Sequence, residues 1–168
     1  MRHPFLRSFL ASLPALLLYL AVLPWLGLRS DRWLGFAWRL PVWVEPMAVL
    51  LMLAGLLLAG SAFWALTFVG RGTPNPLVPT THLVDSGPFH RSRNPLMLGG
   101  WLFGAGLALL LRSPSLLFAI AFIAIVGSLY VRFVEEPGMR ARFGDAWQRY
   151  ASQTPRWFAV HPALPKHR

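Results

Sequence analysis

Four runs of this chain, Phe9–Leu28, Pro46–Gly70, Asn94–Leu111 and Ser113–Val131, carry no charged residue at all. Each is near the ~20 residues that an α-helix needs to span roughly 30 Å of hydrocarbon. The apolar residues come in continuous blocks rather than alternating, which argues against a β-barrel. Hydrophobic residues make up 55% of the 168 and charged residues 13%, about half the roughly 25% usual in soluble proteins. The expected fold is an all-α integral membrane protein with about four transmembrane helices, forming a single domain over residues 1–168. The first run follows Arg2 and Arg7, as a signal peptide would. Its apolar core is too long, however, and Leu26-Gly27-Leu28-Arg29 offers no small-x-small cleavage site, so it reads as a retained span.

Orientation follows from the 16 basic residues. With the N-terminus inside, twelve of them (Arg2, Arg7, Arg71, Arg91, Arg93, Arg132, Arg140, Arg142, Arg149, Arg156, Lys166 and Arg168) fall on the inner side. Four (Arg29, Arg32, Arg39 and Arg112) fall outside. That split places both termini in the cytoplasm, in what the arginine-rich, lysine-poor composition suggests is a bacterial inner membrane. The net charge of +10 is better explained by topology and by anionic headgroups than by nucleic acid. There is no cysteine, and the five histidines (His3, His82, His90, His161, His167) show no metal-ligand spacing, so no metal is expected. Phosphate-binding glycine loops and nucleophile elbows are also absent.

Residues 30–45 carry Trp33, Phe36, Trp38 and Trp43 beside Arg32 and Arg39, which fits an aromatic belt at the outer interface. Only Arg112-Ser113-Pro114 separates the last two spans. Ser113 suits a helix cap and Pro114 a first turn, so a tight antiparallel hairpin is expected. Gly99, Gly100, Gly104 and Gly106 stud the third span; they serve close helix packing, or alternatively open room for a cofactor. The long inner loop 71–95 ends in His90, Arg91 and Arg93. Asn94-Pro95 then starts the next helix, with asparagine as its cap. An arginine beside a helix N-terminus suits a carboxylate or phosphate.

Glu135-Glu136-Pro137 closes the fourth span, and charge at the mouth of a membrane helix is a functional-site suspect. Arg132, Glu136 and Arg140 are spaced at i, i+4 and i+8, which predicts a ladder of ion pairs and leaves Glu135 without a local partner. Met139, Phe143, Trp147 and Tyr150 share one helical face, with Arg140, Arg142 and Arg149 elsewhere. This predicts an amphipathic helix on the inner leaflet or packed over the hairpin.

In order along the chain stand Gly72-Thr73-Pro74, Gly87-Pro88-Phe89, Arg93-Asn94-Pro95, two spans, Glu135-Glu136-Pro137, Phe143-Gly144-x-x-Trp147-x-x-Tyr150 and Thr154-Pro155-Arg156-Trp157. This order resembles the membrane methyltransferases that include isoprenylcysteine carboxyl methyltransferases and phospholipid N-methyltransferases. The likeness covers roughly residues 71–158, beyond two preceding spans in 1–70, and Asn94 resembles the bacterial and phospholipid branches. It implies S-adenosylmethionine as cofactor and a lipophilic or lipid acceptor, carboxylate or amine, at the inner membrane face, among membrane lipids. Carried over to this chain, it implies cofactor binding by His90, Arg93, Asn94, Pro95, Gly99, Gly104, Glu135 and Glu136, with Arg93, Glu136 and Arg156 in the catalytic set. Met97 stands where that family usually has tyrosine. The alternative reading is a non-catalytic lipid-binding or assembly protein that kept the fold.

Overall fold

The structure, a computed structural model, describes residues 4–73 and 79–158. Arg2, His3, Pro74, His161, Lys166, His167 and Arg168, all used in the sequence reading, lie outside the described residues. Helix α1 (Pro4–Leu17) runs through a π-helical turn at Leu18–Val22 into α2 (Leu23–Leu34), so the first span is one long rod. It ends at Gly35, whose φ of 69° is the left-handed conformation that glycine adopts without a Cβ clash. Then come α3 (Val44–Phe68), α4 (Pro95–Leu110) and α5 (Pro114–Tyr130). A second π-helical turn at Val131–Glu135 leads into α6 (Glu136–Gln153). No strand occurs among the described residues.

Among the described residues, three helices are long and apolar enough to cross a membrane: Ser12–Leu34, Val44–Phe68 and the continuous rod Pro114–Gln153. The apolar part of that last rod ends at Val131, because Arg132 is the first charge after Pro114. The third of the four expected spans is the shorter apolar helix α4. At 1.5 Å per residue it is only ~24 Å long. Lipid-facing surfaces are apolar: Leu50, Leu53 and Leu57 on α3 and Phe118, Phe122 and Ile125 on α5 are exposed. Outside a bilayer such a surface would drive aggregation.

Glycine decides how closely α3 and α4 approach. A Cβ on Gly99 would lie 2.5 Å from the Ala59 backbone nitrogen and 2.7 Å from the Gly55 carbonyl oxygen. Gly55 returns the favour against Phe103 and the Gly99 carbonyl. Packing of this kind drives association where lipid removes the hydrophobic difference between helices. Gly99→Ala is therefore expected to destabilise the protein by about 1–3 kcal/mol, since backbone must move to admit one methyl group. A thermal melt in detergent checks it, and an unchanged melting point would count against this packing.

At the end of the bundle where α2 stops and α5 begins, Asp31 is buried against the start of α5. Its carboxylate accepts from the Ser113 hydroxyl and, at 2.9 Å, from the Ser115 backbone N–H. Ser113 in turn caps α5 as expected, accepting from the Leu116 N–H at 3.2 Å. A carboxylate at the positive end of a helix satisfies otherwise orphaned donors and binds the first rod to the hairpin. The sequence reading did not identify this role for Asp31. Arg112, in the tight α4–α5 turn, pairs with Glu45 at 2.6 Å, but both are about half exposed, so the pair contributes little. Trp33, Phe36 and Trp43 are exposed at the same end, as an interfacial belt requires.

Candidate functional site

The end of the bundle opposite Asp31 is built by three pieces of chain that converge: the loop before α4, the junction of α5 with α6, and the segment after α6. The loop is turned by Gly72, where a Cβ would lie 2.4 Å from the Thr80 Cα, and by Gly87 at a φ of 61°. A 3-10 turn at Gly87–His90 then drops Phe89 into a small core with Ala62, Ala65 and Val84. The buried Phe89 carbonyl accepts from the Tyr150 hydroxyl at 2.7 Å, which anchors α6 to the loop. Burial raises the Tyr150 pKa above the ordinary phenol value, so this hydroxyl stays a donor.

The segment after α6 is fastened across residues 92–94. Arg93 donates its backbone N–H to the Pro155 carbonyl at 3.0 Å. The Arg156 carbonyl accepts from the Ser92 hydroxyl at 3.3 Å and from the Asn94 side-chain amide at 3.0 Å. Trp157 then packs on Trp101 of α4, ring centroids 4.7 Å apart. Asn94 does occupy the position before α4, with Pro95 in the first turn, but its side chain makes no capping bond. The expected asparagine cap is replaced by this tie to the strap.

Between these pieces lies the charged centre. Glu136 accepts from Arg93 at 2.9 Å and from Arg156 twice, Nε at 2.8 Å and Nη2 at 2.6 Å, a fork-on-carboxylate arrangement. The expected ladder through Arg132 and Arg140 is not what holds Glu136. Arg132 lies over the Phe133 ring, and Arg140 makes no ion pair among the described residues. The π-helical turn at Val131–Glu135 inserts an extra residue per turn just before Glu136, so i+4 spacing no longer marks neighbours there. Burial pushes the Glu136 carboxyl up. The Arg156 hydrogen bond and the charges of Arg93, Arg156 and Arg132 more than reverse this, leaving it below the ordinary carboxylate range.

Glu135 lines the adjoining cavity and has no ion pair among the described residues. The residue is exposed, and its carboxyl is open to the cavity on one side. Desolvation, with the neighbouring Glu136 charge, raises its pKa, and Arg142 opposes the rise. The cavity is about 580 Å³, within the range of roughly 300–1,000 Å³ typical of small-molecule sites. Its walls are Leu66 of α3, Thr80 and Val84 of the loop, Phe89, Met97 of α4, Tyr130 and Val134, and Met139, Trp147 and Tyr150 of α6. Gly127 leaves room for Met97, whose Cε would lie 2.8 Å from a Cβ there.

Of the residues singled out in the sequence, Arg93, Asn94, Glu135 and Glu136 line this cavity, and Arg156 joins them through Glu136. Pro95 is buried in the first turn of α4. His90 is exposed and not part of the wall. Gly99 packs on α3, and a Cβ on Gly104 would strike the Tyr19 hydroxyl and Ile120, so both glycines face neighbouring helices rather than the cavity. Helix α6 borders the cavity, tied to the loop by the Tyr150–Phe89 bond, and Gly144, at φ 53° and ψ −126°, breaks it. Met139, Trp147 and Tyr150 face the cavity as a set, and Arg142, not Phe143, is the fourth member. The i+3 step from Met139 was the available signal for Arg142; a polar residue on an otherwise apolar face hid it.

The residues present fit S-adenosylmethionine. The Arg93 Nε is buried without a hydrogen-bond partner. An orphaned guanidinium donor and an unpaired carboxylate in one cavity match a molecule carrying both a carboxylate and cationic groups. Among the described residues no His, Cys, Asp or Glu group could hold a metal ion. The sequence pattern of the phospholipid methyltransferase family matches residues 44–146, from the first residue of α3 to just beyond the break in α6. No curated protein and no solved structure matches the chain.

Proposed function

The chain belongs to the phospholipid methyltransferase family, and from that premise we propose that it moves a methyl group from S-adenosylmethionine to a lipophilic acceptor at the inner membrane face. One observation carries the reading: Arg93, Glu135, Glu136 and Arg156, scattered along the sequence, gather at a single cavity of cofactor size. The cofactor, when bound, supplies an electrophilic methyl on a sulfonium sulfur.

The chain's own residues then have distinct tasks. Arg93 is held by Glu136 and by the Trp147 ring, 5.8 Å from its guanidinium carbon, so its remaining donor faces a ligand carboxylate with little freedom to lose. Glu135 accepts from the ligand's ammonium or ribose hydroxyls. Methyl transfer is an in-line displacement, so holding donor and acceptor in line supplies much of the rate. The apolar walls Met97, Leu66, Val84 and Val134 keep water out and admit an acyl or prenyl chain from the side. An amine acceptor arrives protonated and needs a base. Glu135, with its raised pKa, suits that task better than Glu136, whose charge is already engaged by two arginines. The excess of arginines at this end supports a cytoplasmic position for it and for both termini.

The test is transfer of radiolabel from methyl-labelled S-adenosylmethionine into the organic-soluble lipids of membranes containing the full chain. We expect label in the lipid fraction, falling below about a tenth with Arg93→Ala, as losing a charge-assisted contact implies. Arg112→Gln, which touches only the exposed outer pair, is expected to leave it unchanged. Equal labelling with and without the protein would refute the reading.

A further inference from the structure

A second concave surface lies at the end of the bundle opposite the cavity. Arg29, Ser30, Arg32 and Trp33, in the last two turns of α2, line an open groove of about 480 Å³. Trp33 is 85% exposed, and both arginines are exposed. The one acid in this stretch, Asp31, is buried against α5, where Ser113 and Ser115 hold it. Among the described residues neither arginine has an ion pair. The Arg32 Nε donates to the Leu28 carbonyl at 3.3 Å, which leaves its Nη donors free. The Ser30 hydroxyl, the Trp33 indole N–H and the Arg29 guanidinium have no hydrogen-bond partner among the described residues.

Two guanidiniums at i and i+3 on one helix repel each other. The negative end of the helix dipole offsets this for Arg32, which stands in the last turn of α2. That effect fades within one turn, so Arg29 is left without compensation. The groove therefore gathers donors and positive charge, with no acid facing them. One turn earlier on the same face as Arg29, Trp25 and Leu26 are exposed. The face thus runs from charged donors at the end of the span to apolar side chains further along it.

We propose that this groove binds an anionic phospholipid, held as a structural lipid of the leaflet at that end and not as a methyl acceptor. The charged oxygens of its headgroup accept from the two guanidiniums, the hydroxyl and the indole N–H, and its chains lie along Trp25 and Leu26. Net negative charge is what two unpaired guanidiniums select, since a zwitterionic headgroup brings an ammonium that they repel. The proposal goes beyond the methyl-transfer reading and does not depend on it.

The test titrates the full chain in detergent with phosphatidylglycerol, and with phosphatidylcholine of the same chains, and counts bound lipid by native mass spectrometry. Arginines at the cavity end attract anionic lipid too, so the readout is the difference between wild type and variants changed only at the groove. The double variant Arg29→Gln, Arg32→Gln is expected to lose one bound phosphatidylglycerol, its affinity falling about tenfold or more, with phosphatidylcholine binding unchanged. Arg39→Gln, at an exposed arginine that does not line the groove, should leave both lipids as in wild type. An unchanged phosphatidylglycerol count in the folded double variant overturns the proposal. So does an equal loss with Arg39→Gln, which would mark diffuse attraction to a charged surface. Glycerol 3-phosphate competing as well as the whole lipid would mark a free-anion site and overturn it too. If the double variant gives no cooperative melt, Arg29→Gln alone decides: an unchanged preference for phosphatidylglycerol refutes the site.

Discussion

Replacing Glu136 by glutamine is expected to lower the melting temperature by roughly 5–10 °C, the largest stability effect of any single change at the site. The carboxylate holds two guanidiniums that are themselves mostly withdrawn from water: 13% of the Arg93 side chain and 32% of that of Arg156 remain exposed, against 15% for Glu136. Removing one partner of a buried pair costs about 3–5 kcal/mol, because the other charge is left uncompensated. Partial exposure of Arg156 brings the expectation down to ~2–3 kcal/mol. The effect extends beyond the pair, since Arg156 sits in the strap that ties the segment after α6 to residues 92–94. Ligand binding should fall with it.

The pH dependence follows from the lowered Glu136 pKa. Its stabilisation is fully present above the unfolded value of about 4.3 and is lost as pH falls through the lower folded-state value. In Glu136→Gln that acid-side loss should be smaller. Melts across pH 3–7 in detergent, compared between the two proteins, check both the size and the pH profile.

Replacing Glu135 by glutamine is expected to do the opposite: apo stability unchanged or slightly higher at neutral pH, and affinity for S-adenosylmethionine more than tenfold weaker. Desolvation and the Glu136 charge raise the Glu135 pKa. Stability associated with its protonation is therefore fully present below the unfolded value and lost as pH rises through the raised folded-state value. A cationic ligand group bound beside Glu135 would favour its ionised form and offset that rise. A melt with and without S-adenosylmethionine separates the two glutamates. Sharp apo destabilisation by Glu135→Gln, with the ligand-induced shift intact, would mean that the roles are exchanged.

Much of this architecture is legible in the sequence because membrane helices declare themselves locally. Charge-free runs fix the helices, Ser113-Pro114 fixes the hairpin turn, and the charges at the two inner mouths identify the end that matters. What could not be read locally is partner choice. Glu136 has arginines at i−4 and i+4, and an ideal helix would use them; the π-helical turn at Val131–Glu135 changes the register toward Arg132, and Arg93 and Arg156 arrive from elsewhere in the chain to take the carboxylate. Gly144 is similar: a glycine inside an amphipathic pattern signals a weaker helix, but only tertiary packing decides that it breaks at φ 53°. Gly99 and Gly104 show the ambiguity of small residues in lipid. A gap beside a glycine can hold a ligand or another helix, and here Ala59 and Tyr19 fill it.

The central claim, that this cavity holds S-adenosylmethionine between Arg93 and Glu135, is tested most directly by isothermal titration calorimetry. Purified full chain in detergent is titrated with S-adenosylmethionine, alongside Arg93→Ala and Glu135→Gln proteins shown by their melts to be folded. The account predicts saturable one-to-one binding by wild type and a loss of more than tenfold in each variant, about 1.4 kcal/mol or more. Wild-type binding that persists undiminished in both folded variants, or no binding by folded wild type, would contradict it.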